Sequence, residues 1–285
     1  MKRTTKNIVV VATILILFLA CFLVWGLFFF LPRQQLSLKF YDVGQGDSVF
    51  IRTPAGYKIV VDGGPNNKVV NYLEKELALW DRKIDLLVLT HPQADHLFGL
   101  VEVVKRFKIG KLLISGVDND TNLYKLWMKT LKEIGINPII VTQSSTISLS
   151  DTVNFGVVWP KEEKPQVSDL NEACIVMKVS YGNFDALLTG DADQKVQPYG
   201  SSLSEVEVLK VPHHGSKTAM SDEFVSLIKP QVSVISLGKN NSYGHPGKST
   251  LEQLQKIKSK IFRTDQNGTI EIVSDGDRWY TLTER

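Results

Sequence analysis

Cysteine is scarce in this chain, with only Cys21 and Cys174 among 285 residues. Cys21 falls in a long apolar segment and Cys174 in a predicted strand, so no disulfide within one domain is expected. An oxidising compartment would be tolerated but not exploited. The fold must therefore depend on a hydrophobic core, and 43% apolar with 22% charged residues is an ordinary globular composition.

The chain also lacks a surplus of basic residues beyond its first six positions. Lys2, Arg3 and Lys6 account for the formal charge of +3, because the other 30 basic residues balance the 30 acidic ones. Overall charge therefore gives no argument for nucleic-acid binding. A polyanion would have to be held by a local patch or by metal ions.

No charged residue occurs in the 24 positions 8–31. A helix of that length measures about 36 Å, and the hydrocarbon core of a bilayer is about 30 Å thick. Basic residues precede this segment and no acid occurs before Asp42, so the positive-inside rule predicts a cytoplasmic N terminus. A cleaved signal peptide is the alternative, although the run is long for one and no small-residue cleavage site follows it.

We therefore predict a single-pass protein of the cell membrane. Residues 1–35 would comprise a basic cytoplasmic N terminus, one transmembrane helix and a short linker at 32–35. Residues 36–285 would form one extracytoplasmic domain.

Apolar periodicity predicts that this domain alternates strands and helices. One helix is expected over 68–80, with Leu77 and Trp80 on its buried face, and another begins near Leu97. Residues 142–150 are predicted to be a loop, and short strands to fill 261–282. Two similar halves without a linker predict an α+β fold in which helices cover a two-sheet sandwich.

A dense group of polar side chains follows the apolar run 84–89. His91, Asp95 and His96 lie within six residues, where a strand can fix the backbone while its loop turns ligands inward. The chain has only five histidines, and each lies beside Gly, Pro or Asp in a predicted strand-end loop. They are His91, His96, His213, His214 and His245.

Carboxylates occupy similar positions elsewhere. Asp62 ends a predicted strand and precedes two glycines, and Asp191 follows the strand 183–188 and Gly190. Taken alone, Asp62 is better explained as a turn cap than as a site residue. Polar groups at the ends of several strands can converge at one edge of a sandwich, which is how a metal site is assembled from distant sequence.

The order of these motifs resembles the metallo-β-lactamase-fold hydrolases. More narrowly, it is similar to the ComEC-like subgroup, which comprises the exported hydrolase domain of DNA-uptake proteins and its stand-alone relatives. Similarity extends over roughly residues 36–275. The motifs are Asp62-Gly63-Gly64, His91-x-x-x-Asp95-His96, Thr189-Gly190-Asp191, His213-His214-Gly215-Ser216 and Tyr243-Gly244-His245-Pro246, with Asp42-Val43-Gly44-Gln45-Gly46-Asp47-Ser48 and Asn171 matching the subgroup.

The resemblance implies an αββα sandwich, here preceded by one transmembrane helix, with one or two divalent ions, Zn or Mn, at the strand ends. His91 would belong to the first metal position, and Asp95 and His96 to the second. Asp191 would bridge the two positions.

Further roles follow from the same resemblance. Either His213 or His214 would complete the second position. Asp95 and Asp191 would hold the ion and a water, while His245 would reach the substrate or act as general acid. The residues expected to surround and orient the ligands are Asp62, Gln93, Asn171 and Ser216.

Two positions depart from the family pattern. Gln93, a poor ligand, stands where the family has His or, in this subgroup, Asp, and Phe98 replaces a common glycine. Three outcomes remain open: a mononuclear enzyme, a weak first position filled only with substrate, and a decayed enzyme. An oxygen-rich ligand set would admit manganese as well as zinc.

The function expected from the resemblance is metal-assisted hydrolysis of a phosphodiester, with DNA outside the membrane as substrate. One alternative is an envelope esterase acting on phosphocholine or teichoic-type phosphodiesters. The other is a membrane-tethered binding module that has lost catalysis.

Overall fold

The structure is a computed structural model that describes residues 2–30, 35–143, 145–149, 152–197 and 203–285. In the N-terminal helix, the described side chains are those of Asn7 and residues 10–26. Residues 32–34 of the predicted linker lie outside the described residues. The chain divides into two compact units, Met1–Gln34 and Gln35–Arg285.

The first unit contains helix α1 (Lys2–Phe30). Its described apolar side chains are exposed, as Leu15 (64%) and Phe18 (74%) illustrate. Counting only described residues, no helix reaches the length and hydropathy of a membrane span. The transmembrane helix therefore stays a prediction.

The second unit contains two sheets and the remaining helices. Its strands are β1 (Leu36–Phe40), β2 (Val49–Arg52), β3 (Lys58–Val61), β4 (Lys83–Leu89), β5 (Lys108–Ile114), β6 (Ile139–Ile140), β7 (Thr146–Ser148), β8 (Val153–Trp159), β9 (Val176–Tyr181), β10 (Phe184–Leu188), β11 (Val208–Lys210), β12 (Val232–Ile235), β13 (Lys260–Arg263), β14 (Ile270–Ser274) and β15 (Trp279–Thr283). Its helices are α2 (Lys68–Glu76), α3 (Ala94–Arg106), α4 (Asn122–Ile134), α5 (Asp222–Ile228), α6 (Lys248–Lys256) and α7 (Thr264–Asn267), and 3₁₀ turns occur at Leu170–Ala173 and Pro212–Gly215.

The strand order is β15-β14-β1-β2-β3-β4-β5-β6 in one sheet and β13-β12-β11-β10-β9-β8-β7 in the other. Each sheet combines an antiparallel part with a parallel part, which runs from β3 to β6 in the first sheet and from β10 to β13 in the second.

Three apolar clusters define the layers. Side chains from both sheets, including Phe40 and Phe155, fill the space between the sheets. On the outer face of the first sheet, α3 and α4 contribute Leu100 and Trp127 to a second cluster. Phe224 of α5 belongs to the third cluster, on the other sheet. The predicted α+β sandwich with outer helices is confirmed.

Two helix boundaries differ from the sequence prediction. Helix α2 ends at Glu76, whose carbonyl accepts a hydrogen bond from Arg52 Nη2 (2.8 Å), and Leu77 is already extended. Trp80 is consequently 90% exposed instead of buried. Helix α3 begins at Ala94, three residues earlier than predicted, directly after an extended Gln93.

The predicted loop 142–150 contains a short strand, β7, which pairs with β8. The region 261–282, predicted as strands, also includes helix α7. Both departures are local, and neither changes the sandwich.

The parallel strands place polar side chains at one edge of the sandwich. Strands β3 and β4 are parallel neighbours and lead into Asp62 and His91, while the parallel β10 and β11 lead into Asp191 and His214. The backbone N–H of Ile175 donates to the carbonyl of Thr90 (3.0 Å), linking the two sheets at this edge.

Candidate metal centre

The Asp62 carboxylate links the end of β3 to Thr90 and His96. Its carboxylate accepts hydrogen bonds from the Thr90 N–H (2.8 Å) and the Thr90 hydroxyl (2.7 Å). It also lies 2.8 Å from Nδ1 of His96, which must carry the proton because an ionised carboxylate only accepts. Asp62 thereby fixes the His96 ring and leaves Nε2 as the nitrogen that can bind a metal ion.

Helix α3 lies close to the turn after Asp62 because Gly99 has no side chain. A Cβ at Gly99 would stand 2.0 Å from the Gly63 carbonyl oxygen. The Gly63 N–H donates to the His96 carbonyl (2.7 Å), so the first turn of α3 is held against the end of β3. Asp95 and His96 therefore project from a helix end rather than from a loop.

Thr90 also orients His91. Since the Thr90 hydroxyl donates to Asp62, its oxygen can only accept from Nδ1 of His91 (3.1 Å). The fully buried His91 ring is left with an Nε2 atom that has no partner among the described residues. Burial, followed by the charge of His96, lowers the pKa of His91 to about 4, so the ring is neutral at neutral pH.

The paired histidines follow β11 on a strained turn. His213 and His214 both have left-handed backbones, with φ of 48° and 51°. Nδ1 of His214 lies 2.9 Å from the Ser236 carbonyl, which can only accept, so Nε2 is again the free nitrogen. This nitrogen lies 3.3 Å from both Asp95 Oδ2 and Asp191 Oδ2.

Four side chains converge. One ligand atom from each of Asp95, His96, Asp191 and His214 lies within 4.8 Å of the other three. Asp191 Oδ2 is 3.3 Å from Nε2 of both His96 and His214. Ligand atoms in a tetrahedral site with bonds of 2.0–2.1 Å are separated by about 3.4 Å, so the spacing suits a zinc-sized divalent cation.

The electrostatics favour positive charge between these groups. Burial alone would lower the pKa of His96 and His214, but neighbouring carboxylates, Asp191 first, raise both well above the usual value. The pKa of Asp191 is lowered by the two histidines in spite of its burial. A cation placed between the ligands would meet the same attraction that otherwise retains protons on the imidazoles.

Several buried polar atoms lack hydrogen-bond partners. Among the described residues, no hydrogen-bond partner is present for His96 Nε2, His91 Nε2, Asp191 Oδ1 or Asn171 Oδ1. Buried polar atoms are rarely left without partners, so the unpartnered atoms of His96 and Asp191, with that of His91 beside His96, fit a divalent ion or ions as the missing partner. The donor set of imidazole nitrogens and carboxylate oxygens is one that zinc and manganese accept.

Asp47, Asp62 and His96 also offer atoms within 4.8 Å of one another. This second group does not fit a cation, because His96 faces it with the protonated Nδ1. Its charge is balanced by Lys210, whose ammonium contacts the Asp47 carboxylate directly.

Lys210 is a buried cation beside the four-ligand group. Its Nζ donates to the Gly190 carbonyl (2.8 Å) and lies 3.6 Å from Asp191 Oδ1. Burial alone would lower its pKa, but the Asp47 and Asp191 carboxylates raise it. Lys210 therefore remains charged and holds the Asp47 turn and the Asp191 loop together.

The sequence prediction omitted Lys210 and Asp47 as site residues. A lysine within the apolar run 208–211 was the available signal for the first. Asp47 ends the Gly-Gln-Gly-Asp turn, in which a Cβ at Gly46 would stand 2.2 Å from the Asp95 carbonyl oxygen. Ser236 was also missed; only its backbone carbonyl is used, so its side chain gave no signal.

An open cavity of about 440 Å³ gives access to the ligands. His213 and His245 line it with ring centroids 5.9 Å apart, and neither belongs to the four-ligand group. Burial, then the charges of His214 and His213, lower the pKa of His245. His245 is therefore a neutral imidazole that faces the space in front of the ligands.

The remaining predicted residues have different surroundings. Gln93 lines the same cavity. Asn171 is buried with its free Oδ1, as described above. Ser216 instead stabilises the histidine turn, because its N–H donates to the His213 carbonyl (2.8 Å) and its carbonyl accepts from Thr250 (2.5 Å).

The model of the Metallo-beta-lactamase superfamily matches residues 41–239, which include all four converging ligands. This chain belongs to the metallo-beta-lactamase superfamily. The resemblance to its ComEC-like subgroup is confirmed by the curated relatives.

Three of these relatives are similar over most of this chain. ComE operon protein 3 of Bacillus subtilis is 30% identical over 95% of this chain and 36% of its own length. Recombination protein 2 of Haemophilus influenzae is 26% identical over 91% and 31%. Competence protein ComA of Neisseria gonorrhoeae is 29% identical over 84% and 32%. The chain thus spans about a third of the length of each of these three relatives.

Among solved structures, CmlA, a diiron β-hydroxylase from Streptomyces venezuelae, is similar with a TM-score of 0.54. It is 15% identical, and the match covers 87% of this chain and 54% of CmlA. At this identity the likeness shows the fold alone.

Proposed function

We propose that this protein is a metal-dependent phosphodiesterase that acts on DNA. The observation that carries the proposal is the convergence of Asp95, His96, Asp191 and His214 around one point beneath an open cavity. Superfamily membership supports metal-dependent hydrolysis. The choice of a phosphodiester as the substrate is an additional proposal.

The residues of the chain have separable tasks. Asp95, His96, Asp191 and His214 would hold one ion, and His91 would provide a further donor for a second. A bound divalent ion supplies charge stabilisation to the reacting phosphate and lowers the pKa of a water toward about 7. Asp62 and the Ser236 carbonyl keep the imidazoles in the tautomer whose Nε2 faces the ion.

His245 would assist the departure of the leaving group. It lines the cavity beside the ligands, and its loop is fixed because Asn241 accepts from the His245 N–H (3.0 Å) and donates to its carbonyl (2.8 Å). A neutral imidazole with one N–H can donate a hydrogen bond, and then the proton, to the leaving oxygen.

DNA is proposed as the substrate because the relatives are named as competence and recombination proteins. The neutral charge of the domain adds no support, so phosphate binding would depend on the ions and on the cavity rim. We further propose that α1 anchors the hydrolase outside the cell membrane. The uncharged stretch 8–31 and the exposed apolar side chains of α1 support this anchor.

Hydrolysis assays on the full chain in detergent test this function. Single-stranded DNA, duplex DNA and bis-p-nitrophenyl phosphate are offered with Mn²⁺, with Zn²⁺ or with chelator. We expect metal-dependent cleavage of DNA that Asp191→Asn abolishes and Asp193→Asn retains, because Asp193 lies in the same loop outside the ligand group.

Other outcomes assign the alternatives. Cleavage of the small diester with DNA untouched would indicate an envelope phosphodiester esterase. No turnover with either ion would contradict the enzymatic proposal and leave a binding module.

A further inference from the structure

Tyr243 is an exposed aromatic residue at the mouth of the catalytic cavity. Its side chain is 69% exposed although it lines the same cavity as the ligands Asp95, Asp191 and His214. Nothing in the hydrolysis of a diester requires an aromatic ring at this position. Exposed aromatic rings at nucleic-acid sites serve as surfaces on which bases stack.

The ring is carried on a fixed turn. The Asn241 amide donates to the carbonyls of Gly238 (3.1 Å) and His245 (2.8 Å), which closes the turn that presents Tyr243. The Tyr243 and His245 rings are within 24° of parallel, with centroids 5.7 Å apart. A ring held in this way loses little freedom when another planar group stacks on it.

Two exposed lysines flank this turn. Lys239 directly follows Gly238, whose N–H donates to the side chain of the cavity residue Gln45 (3.0 Å). The Lys217 backbone packs against Gly247, where an added Cβ would stand 2.8 Å from the Lys217 Cα. In the part of the chain that the structure describes, neither ammonium is paired with a carboxylate, so both are available to backbone phosphates.

We propose that Tyr243 stacks on an unpaired nucleobase next to the phosphodiester being cleaved and thereby determines substrate specificity. This inference rests on the proposed phosphodiesterase function. Stacking is tolerant of sequence because every base has a flat face, but a base inside a duplex must first be unstacked. The site would therefore prefer DNA whose bases are unpaired, at single strands or open ends.

The test compares Tyr243→Ala with wild type on two single-stranded oligonucleotides of equal length, one with normal bases and one made of abasic residues. We expect kcat/KM to fall about tenfold on the normal strand and to stay unchanged on the abasic strand. Tyr243→Phe, which keeps the ring, should restore most of the rate. Tyr280→Ala, at an exposed tyrosine on β15, is the matched control and should behave as wild type.

Equal losses on both strands would overturn the proposal, because they would mean that Tyr243 only positions His245. No loss on either strand would overturn it as well. A wild-type chain that cleaves neither strand would refute the nuclease function separately. Fluorescence anisotropy of both oligonucleotides would still decide about stacking, since Tyr243→Ala must weaken binding of the normal strand alone.

Discussion

Replacing Lys210 by Met should strongly destabilise the second unit when no metal is bound. The lysine side chain is only 2% exposed, contacts Asp47 and lies 3.6 Å from Asp191 Oδ1. Methionine fills a similar volume but removes the ammonium that Asp47 contacts and that lies beside Asp191. Removing one partner of a buried ion pair costs about 3–5 kcal/mol, a large share of the 5–15 kcal/mol that is typical of total stability.

Urea unfolding followed by tryptophan fluorescence, in chelator, measures the change in the free energy of unfolding. Lys178→Met is the matched control, because Lys178 also lies on a strand of the second sheet and is 2.7 Å from Asp185 but is 23% exposed. Such a pair contributes about 0–1 kcal/mol. Asp47→Asn should recover part of the loss when combined with Lys210→Met, because one uncompensated charge disappears.

Saturating divalent metal should also reduce the Lys210→Met deficit, since an ion would neutralise Asp191 in its place. A Lys210→Met variant that loses no more stability than Lys178→Met in chelator would refute this electrostatic role of Lys210.

Three further changes test the site. Gln93→Asp should raise both bound metal and hydrolysis rate, by elemental analysis and diester assay, because it adds an anionic oxygen to the cavity; unchanged metal content would contradict this. His214→Ala should lower metal affinity at least tenfold, whereas His213→Ala should change it less than about twofold in calorimetric titrations; the reverse result would assign the ligand to His213. In a Cys21→Ser background, Cys174 should resist thiol labelling until the chain unfolds, because burial raises its thiol pKa; rapid labelling of the folded protein at pH 8 would show that this part of the core opens.

Strand ends were the informative feature of the sequence. Apolar runs that stop at Asp62, His91, Asp191 and the histidine pair predicted convergence at one edge, and four of the expected ligands do meet there. Asp191 and His214 come together because the parallel strands β10 and β11 place their carboxyl ends side by side, whatever their separation in sequence.

Other features depend on backbone detail that the sequence does not encode locally. Both His213 and His214 have left-handed backbones, and this turn decides which of the two imidazoles joins the other ligands. Lys210 lies in an apolar strand, and its role requires Asp47, more than 160 residues earlier, to reach it. Trp80 was expected on the buried face of α2. The helix instead ends at Glu76, whose carbonyl accepts a hydrogen bond from Arg52, so Trp80 lies beyond it.

Calorimetric titration of the chelator-stripped full chain with Mn²⁺ and Zn²⁺ tests the metal centre most directly. We expect at least one ion per chain, with Asp191→Asn weakening the affinity at least tenfold and Asp193→Asn leaving it unchanged. Failure of the wild-type chain to bind either ion, or equal affinity in wild type and Asp191→Asn, would contradict a metal centre at Asp95, His96, Asp191 and His214.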